Sequence, residues 1–130
     1  MLALLRRRVQ PLVLVALADA AAEGAADLLK SAIGTRRPHL AHRLVPLPHS
    51  ASFPSGHAAT SFACATVLSF LAPRAAPAFY TLAAAIAYSR LYVGVHWPLD
   101  VVGGAVLGLV IALLLLSEVR RRSRGRPRRG

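Results

Sequence analysis

Two histidines lie in short polar motifs beside apolar segments, and their neighbours suit phosphate chemistry. His57 ends the run PSGH, and His96 precedes Asp100 by four residues. One histidine can attack phosphorus while a second protonates the leaving oxygen, which is what a covalent phosphoryl transfer needs. A carboxylate one helical turn from His96 can hold its other ring nitrogen and fix the tautomer. Taken alone, such a His–Asp pair is more often a structural hydrogen bond, with metal ligation the next reading.

Three cations and one predicted helix start accompany these histidines. Lys30, Arg37 and Arg90 could converge on one anion, and guanidinium groups grip phosphate oxygens in bidentate fashion. Ser55 and Gly56 come just before a predicted helix, whose first N–H groups and positive dipole end favour an anion. Each feature alone has a simpler reading, since a Lys or Arg at a helix end is usually a snorkelling anchor. The combination predicts a phosphate site.

The order K-x6-RP, PSGH, SR-x5-H-x3-D between Lys30 and Asp100 resembles the type 2 phosphatidic acid phosphatase superfamily. That superfamily also contains vanadium haloperoxidases and some bacterial acid phosphatases. The resemblance implies a lipid phosphatase in which His96 is the nucleophile and forms a phosphohistidine, Asp100 orients it, and His57 is the general acid. It implies no metal and no cofactor. It also assigns phosphate binding to five residues: Lys30, Arg37, Ser55, Gly56 and Arg90.

The elements that must position these residues are four apolar segments, at about residues 9–33, 58–72, 76–88 and 99–117. The chain is 55% hydrophobic with a mean hydropathy of +0.51. A membrane core needs about 20 helical residues, so only the last segment is a clear span and the second and third are short. We expect an all-α integral-membrane bundle of about four transmembrane helices. The predicted divisions are a basic segment 1–8, a catalytic domain 9–118 and a disordered, basic cytoplasmic tail 119–130.

Alternating helices would bring all three signatures to one membrane face. The opposite face then carries eleven basic residues: Arg6, Arg7, Arg8, Arg74, Arg120, Arg121, Arg122, Arg124, Arg126, Arg128 and Arg129. The signature face carries five: Lys30, Arg36, Arg37, Arg43 and Arg90. Because cytoplasmic loops are enriched in Lys and Arg, we expect cytoplasmic termini and an extracytoplasmic active site.

Charged residues recur every four positions in the first apolar segment. Asp19, Glu23 and Asp27 share one helical face, and Lys30 continues it. A carboxylate at mid-membrane costs about 2.5–3.5 kcal/mol on insertion scales, so we expect this face to point into the bundle. Asp27 is then placed to pair with Lys30 and position it under the phosphate. The alternative is that the carboxylates are neutralised by protonation and merely tolerated.

The length of the chain leaves its assembly open. Membrane members of the superfamily commonly have six spans, usually with two before the helix that carries the Lys-Arg-Pro signature, whereas this chain has one helix before that signature. It is either a minimal form or an N-terminally shortened product. A homo-oligomer could replace missing helices, and Gly104, Gly108 and Ala112 form a small-residue face suited to packing within the chain or against a second copy.

Four other readings stay open. Residues 6–22 also resemble a signal peptide with a small-residue cleavage site. The chain could keep the signatures as an inactive or structural membrane protein. It could be a haloperoxidase or a soluble acid phosphatase, although the last apolar segment argues against that. The isoelectric point near 11.7 could indicate a tether for nucleic acid or anionic lipid, but the basic residues flank apolar segments as topology signals do. Substrate lipid and membrane lipids are the expected partners; nucleic acid is not.

Overall fold

The structure is a computed structural model that describes residues 2–38, 44–46 and 48–124. In that part of the chain the regular elements are all helical, which confirms the predicted class. They are α1 (Leu2–Ile33), α2 (Gly56–Leu71), α3 (Ala76–Tyr92) and α4 (Pro98–Arg124). A single 3₁₀ turn, Pro73–Ala75, joins α2 to α3. Each predicted apolar segment lies within one helix or overlaps it almost completely.

Helix α4 continues beyond its apolar stretch. The prediction of disorder from residue 119 onward is wrong for residues 119–124, which are helical. Arginine is a good helix former, and cations are favourable near a helix C-terminus. Arg122 also donates to Glu118 one turn earlier, with Nε and Oε1 2.8 Å apart. Residues 125–130 of the predicted tail lie outside the described residues.

Helix α2 is the centre of the bundle and contacts the other three helices. Its contact with α4 is closest, because glycine lets the two backbones meet. A methyl group added at Gly104 would overlap the carbonyl of Ser55, and one at Gly108 would overlap the carbonyl of Ala59. The small-residue face of α4 therefore packs inside the chain against α2. This settles the choice that the sequence left open for that face.

The buried face of α1 consists of alanines. Ala18, Ala22 and Ala26 are fully buried and belong to one core cluster with Ala59 and Ala63 of α2. Small side chains at this spacing let α1 pack closely against α2. The larger side chains of Leu14 and Val15 pack against the same cluster and are partly buried.

The acidic stripe of α1 consists of Asp19, Glu23 and Asp27, each of which directly follows one of those alanines in the sequence. It therefore lies about 100° further round the helix. Asp19, Glu23 and Asp27 are all exposed, so the prediction that they face the bundle interior is wrong, although Glu23 borders a cavity at the end of the bundle. The reason is that Ala18, Ala22 and Ala26 form the face of α1 that packs against α2. The predicted pair is confirmed, because Lys30 Nζ donates to Asp27 Oδ1 at 2.8 Å.

Helix α4 is, among the described helices, the one long and apolar enough to cross a membrane. Its 27 residues correspond to about 40 Å of helix. Helix α2 is a shorter apolar helix of 16 residues, about 24 Å long. Both helices begin next to signature residues, at one end of the bundle. At the other end α4 extends well past the end of α2.

Candidate active site

The three sequence signatures meet around one cavity of about 250 Å³ at the end of the bundle where α2 and α4 begin. Six of the eight predicted site residues line it: Lys30, Arg37, Gly56, His57, Arg90 and His96. The other two, Ser55 and Asp100, are buried behind its wall. Residues from α1, α2 and α3 and from the turn before α4 thus contribute to a single site.

His96 is held between a cation and a carboxylate. Its Nε2 lies 3.3 Å from Nη1 of Arg37, and its Nδ1 lies 3.5 Å from Oδ2 of Asp100. A guanidinium only donates, so Nε2 must present its lone pair and Nδ1 carries the proton toward the carboxylate. The Nδ1 contact is longer than an ordinary hydrogen bond. The lone pair of Nε2 is thus directed at Nη1 of Arg37, which also lines the cavity, so this contact must open before Nε2 can bond to a ligand.

Burial lowers the pKa of His96 from its usual 6.5 to about 4, because the protonated ring loses its hydration. The positive guanidinium of Arg37 lowers this pKa further, while the carboxylate of Asp100 opposes the shift. At neutral pH the ring is therefore uncharged. A neutral imidazole is the form of histidine that can act as a nucleophile.

Asp100 is fixed from two sides. Its Oδ2 accepts from the backbone N–H of Trp97 at 2.7 Å and from the hydroxyl of Ser52. The contact with Trp97 is one half of a capping box, in which the side chain of the third helical residue accepts a hydrogen bond from the backbone N–H of the residue before the helix. The same carboxylate thus starts α4 and orients His96. Ser52 was missed by sequence reasoning, because it lies outside every signature and reaches Asp100 only through the fold of the loop.

Arg37 already has an acceptor for each of its donors. Its Nε donates to Ser50 O at 2.9 Å, and its Nη2 donates to Ser50 Oγ and Ala51 O at 3.1 and 3.2 Å. Its Nη1 donates to Val95 O at 2.9 Å besides contacting His96. Five N–H groups are all that a guanidinium has. In this structure Arg37 braces the loop and His96, and its predicted phosphate contact would have to replace the one to His96.

Lys30 and Glu23 both reach the start of α2. A Cβ built on Gly56 would lie 3.0 Å from Glu23 Oε2 and 3.2 Å from Lys30 Nζ, so glycine is what leaves room for both side chains. Glu23 is the one carboxylate among the residues lining the cavity. Its place in the site was missed, because the repeat of acidic residues indicated a helix face and no signature contains it.

The N-terminus of α2 supplies free donors. Gly56 and His57 begin the helix and line the cavity, so their N–H groups have no acceptor within the helix. The N–H of Ser55 donates to the carbonyl of Asp100 at 2.9 Å, which ties the starts of α2 and α4 together. The buried hydroxyl of Ser55 has no hydrogen-bond partner among the described residues. The donors at this end of α2 suit an oxyanion.

The loop between α1 and α2 forms one wall of the cavity through Val45, Pro46, Pro48 and Ser50. Three of these side chains are apolar or cyclic, so this wall is suited to the hydrocarbon part of an amphiphile. Within the described residues, no three His, Cys, Asp or Glu side chains are grouped as metal ligands would be. Metal independence nevertheless stays a prediction.

The model of the PAP2 superfamily matches residues 11–124. An undecaprenyl-diphosphatase of Sulfolobus acidocaldarius is 43% identical over 72 residues, which are 55% of this chain and 35% of that protein. A lipid A 1-phosphatase of Rhizobium johnstonii is 40% identical over 97 residues, 68% of this chain and 40% of that protein. The chain therefore spans between a third and two fifths of the length of these two relatives.

A solved structure has the same fold. Aquifex aeolicus LpxE has a TM-score of 0.73 and 33% identity over 85% of this chain and 69% of that one. The transmembrane PAP2-type phosphatidylglycerolphosphate phosphatase of Bacillus subtilis has a TM-score of 0.70 and 31% identity, covering 88% of this chain and 61% of that one. With a family match over most of its length, the shared fold and an apolar helix long enough to span, the chain is a membrane protein that belongs to the PAP2 superfamily.

Proposed function

We propose that the chain is a metal-independent membrane phosphatase that hydrolyses a phosphomonoester or diphosphate of a lipid. The observation that carries this proposal is the neutral His96, backed by Asp100 and facing a cavity that also contains His57, Lys30 and Arg90. The relatives named above act on lipid phosphates, which supports the same class of reaction. The alternative is a PAP2-like chain that keeps the site but has only a structural role.

In the first step Nε2 of His96 attacks phosphorus. The new N–P bond forms as the bond from phosphorus to the lipid oxygen breaks, and His57 gives its proton to that oxygen. Lys30 and Arg90 neutralise the charge that develops on the phosphoryl oxygens, together with the free N–H groups of Gly56 and His57. For this attack Nη1 of Arg37 gives up its contact to Nε2 and can donate to a phosphoryl oxygen instead, while Asp100 keeps the ring oriented from the Nδ1 side as it becomes a charged phosphohistidine.

In the second step water attacks the phosphohistidine. His57, now without its proton, takes one from the water, and the N–P bond breaks to release inorganic phosphate. His96 returns to its neutral form, with its proton again on Nδ1 toward Asp100. The proton that His57 gave away in the first step is thereby restored, so the cycle closes with no other reactant than water.

The substrate class follows from where the cavity lies. It opens at the end of an apolar bundle and has a partly apolar wall at Val45, Pro46 and Pro48, so its ligand should carry its phosphate at the membrane surface. Polyprenyl phosphates or diphosphates, phosphatidate and phosphatidylglycerol phosphate all have this form. Four membrane-spanning helices, cytoplasmic termini and an extracytoplasmic site complete the proposal, on the basis of the charge distribution along the chain.

The experiment is phosphate release by the purified chain in detergent from a panel of these lipids, with EDTA present throughout. We expect release from at least one lipid, and we expect His96→Ala to lose activity by at least a thousand-fold while still being extracted and eluting like the parent. His49→Ala is the matched control, because His49 is an exposed histidine of the loop that does not line the cavity. It should retain full activity.

Two outcomes would contradict the proposal. Undiminished turnover by His96→Ala would show that His96 is not the nucleophile. Activity that is lost in EDTA and restored by Mg²⁺ would remove the metal-independent mechanism. If the parent chain releases no phosphate from any lipid of the panel, the structural alternative is favoured instead.

A further inference from the structure

A second cavity lies at the other end of the bundle, between the last turns of α2 and the far part of α4. It has a volume of about 540 Å³. Its inner part is lined by Thr66, Phe70, Leu113 and Leu116. Its outer part is lined by Ser117, Arg120, Arg121 and Arg124. We call it the arginine groove. None of its residues takes part in the chemistry proposed above.

The depth of the arginine groove follows from the length of α4. A hydrocarbon core takes about 20 helical residues, so a helix that enters the membrane at Pro98 leaves it near Ser117. Leu113 and Leu116 then lie inside the hydrocarbon, and Arg120 to Arg124 lie at the level of the headgroups. Helix α2 ends at Leu71, so α4 projects past it and the groove is open toward the surface. The groove is thus apolar at the depth of the acyl chains of a lipid and positively charged at the depth of its headgroup.

The arginines of the groove are not neutralised by the part of the protein that the structure describes. Arg122, which points elsewhere, is paired with Glu118 at 2.8 Å. For Arg120, Arg121 and Arg124 no ion pair occurs among the described residues, and the guanidinium of Arg120 lies 4.9 Å from the ring centroid of Phe70. Three positive charges at the mouth of an apolar groove favour an anion with a hydrocarbon part.

We propose that the arginine groove binds one anionic phospholipid of the leaflet opposite the active site. Its acyl chain lies along Leu113, Leu116 and Phe70, and its phosphate is held by Arg120, Arg121 and Arg124. Basic side chains next to the end of a spanning helix attract anionic headgroups in general. A second copy of the chain fits less well, since an isologous contact would bring a second set of arginines against the first.

The test measures binding of fluorescent dioleoyl phosphatidylglycerol to the purified full chain in a neutral detergent, with the phosphatidylcholine analogue as the uncharged comparison. Phosphatidylglycerol is a phosphodiester, so it lacks the terminal phosphate that the active site acts on. We expect Arg120→Gln, Arg121→Gln and Arg124→Gln together to weaken phosphatidylglycerol binding about a hundred-fold, at about five-fold for each of the three basic residues near the surface. Glutamine keeps the helix propensity of arginine, so α4 is expected to remain folded.

The matched control removes the same three charges elsewhere. Arg126→Gln, Arg128→Gln and Arg129→Gln together should leave phosphatidylglycerol binding within about two-fold of the parent, and inorganic phosphate should not displace the lipid. Equal losses in the two triple variants would overturn the proposal, because binding would then depend on net charge alone. Equal affinity for phosphatidylcholine would also overturn it, as would a change from dimer to monomer in the groove variant without loss of lipid.

Discussion

The reactivity proposed for His96 depends on the groups around its ring. A solvated histidine is half protonated near pH 6.5, and a protonated ring has no lone pair for phosphorus. Here burial and the guanidinium of Arg37 lower the pKa to about 4, and Asp100 keeps Nδ1 as the protonated nitrogen. The cost is that Asp100 must itself be held in a buried place, which the hydroxyl of Ser52 and the N–H of Trp97 make possible.

The first prediction at this scale is a pH profile. As pH rises through the pKa of His96, the ring loses its proton and becomes a nucleophile, so kcat/KM should rise with an apparent pKa of about 4. Activity on a lipid phosphate should be measured between about pH 3 and pH 8 and corrected for the second ionisation of the phosphate, whose pKa is about 6. An apparent pKa of the kcat/KM profile near the ordinary histidine pKa would mean that another group is titrating or that His96 is solvated in the working enzyme.

Glu23 gives the second prediction. Its carboxylate lies in the cavity beside Lys30 and repels the anion that the cavity binds. Glu23→Gln should therefore tighten inhibition by orthovanadate, a mimic of pentacoordinate phosphorus, by several-fold, since two charges about 5 Å apart interact by about 1–3 kcal/mol at a wet surface. The measurement is the inhibition constant at fixed pH and salt.

Asp19 is the control for Glu23. It lies one turn earlier on α1, where the thiol of Cys64 rather than the cavity is its neighbour, at 3.9 Å. Asp19→Asn makes the same change from carboxylate to amide and should leave the inhibition constant unchanged. If the two variants respond alike, the effect comes from the charge of α1 as a whole and not from a carboxylate inside the site.

The close packing of α2 against α4 fixes the geometry of the site. Both begin at the active site, and the glycines of α4 bring its backbone against α2, so that Ser55 can donate to the carbonyl of Asp100. A shift of α4 away from α2 would move His96 and Asp100 relative to His57. Close helix packing here is thus part of the positioning of the catalytic groups.

The third prediction tests this packing. A methyl group at Gly108 meets the backbone of Ala59, which cannot move without moving α2, so Gly108→Ala should destabilise the chain by about 1–3 kcal/mol. Gly24→Ala is the matched control, because nothing lies within 4 Å of a Cβ at Gly24 and alanine is the better helix former by about 1 kcal/mol. Thermal unfolding in detergent should rank Gly24→Ala at or above the parent and Gly108→Ala below it. Equal midpoints for the two variants would show that α2 and α4 are not in close contact.

Much of the whole molecule could be predicted from the sequence, because apolar runs, prolines and signature spacings are local features. They predicted four helices and the convergence of Lys30, Arg37, His57, Arg90 and His96. What could not be predicted depends on how surfaces meet. The buried face of α1 was predicted one residue away from where it lies. Ala18, Ala22 and Ala26 look no different in the sequence from other alanines, and only their packing against α2 distinguishes them. Ser52 was missed for the same reason, as its contact with Asp100 exists only once the loop is folded.

The orientation of the whole bundle in the membrane gives the last prediction. The active site and the arginine groove lie at opposite ends of α4, a helix of 27 residues, so a membrane that α4 crosses must separate them. Positive-inside logic places the arginine end in the cytoplasm, because eleven of the sixteen basic residues belong to that face. The two ends can be distinguished by cysteine labelling, because Cys64 is the single cysteine of the chain.

In a Cys64→Ser background, His49→Cys marks the active-site end and Arg122→Cys marks the other end, both at exposed positions. A membrane-impermeant maleimide should label His49→Cys in intact cells and should label Arg122→Cys only after lysis. The reverse pattern would invert the orientation and place hydrolysis on the cytoplasmic side. Labelling of both variants in intact cells would show that the two ends of α4 are on one side, and α4 could not then be a spanning helix.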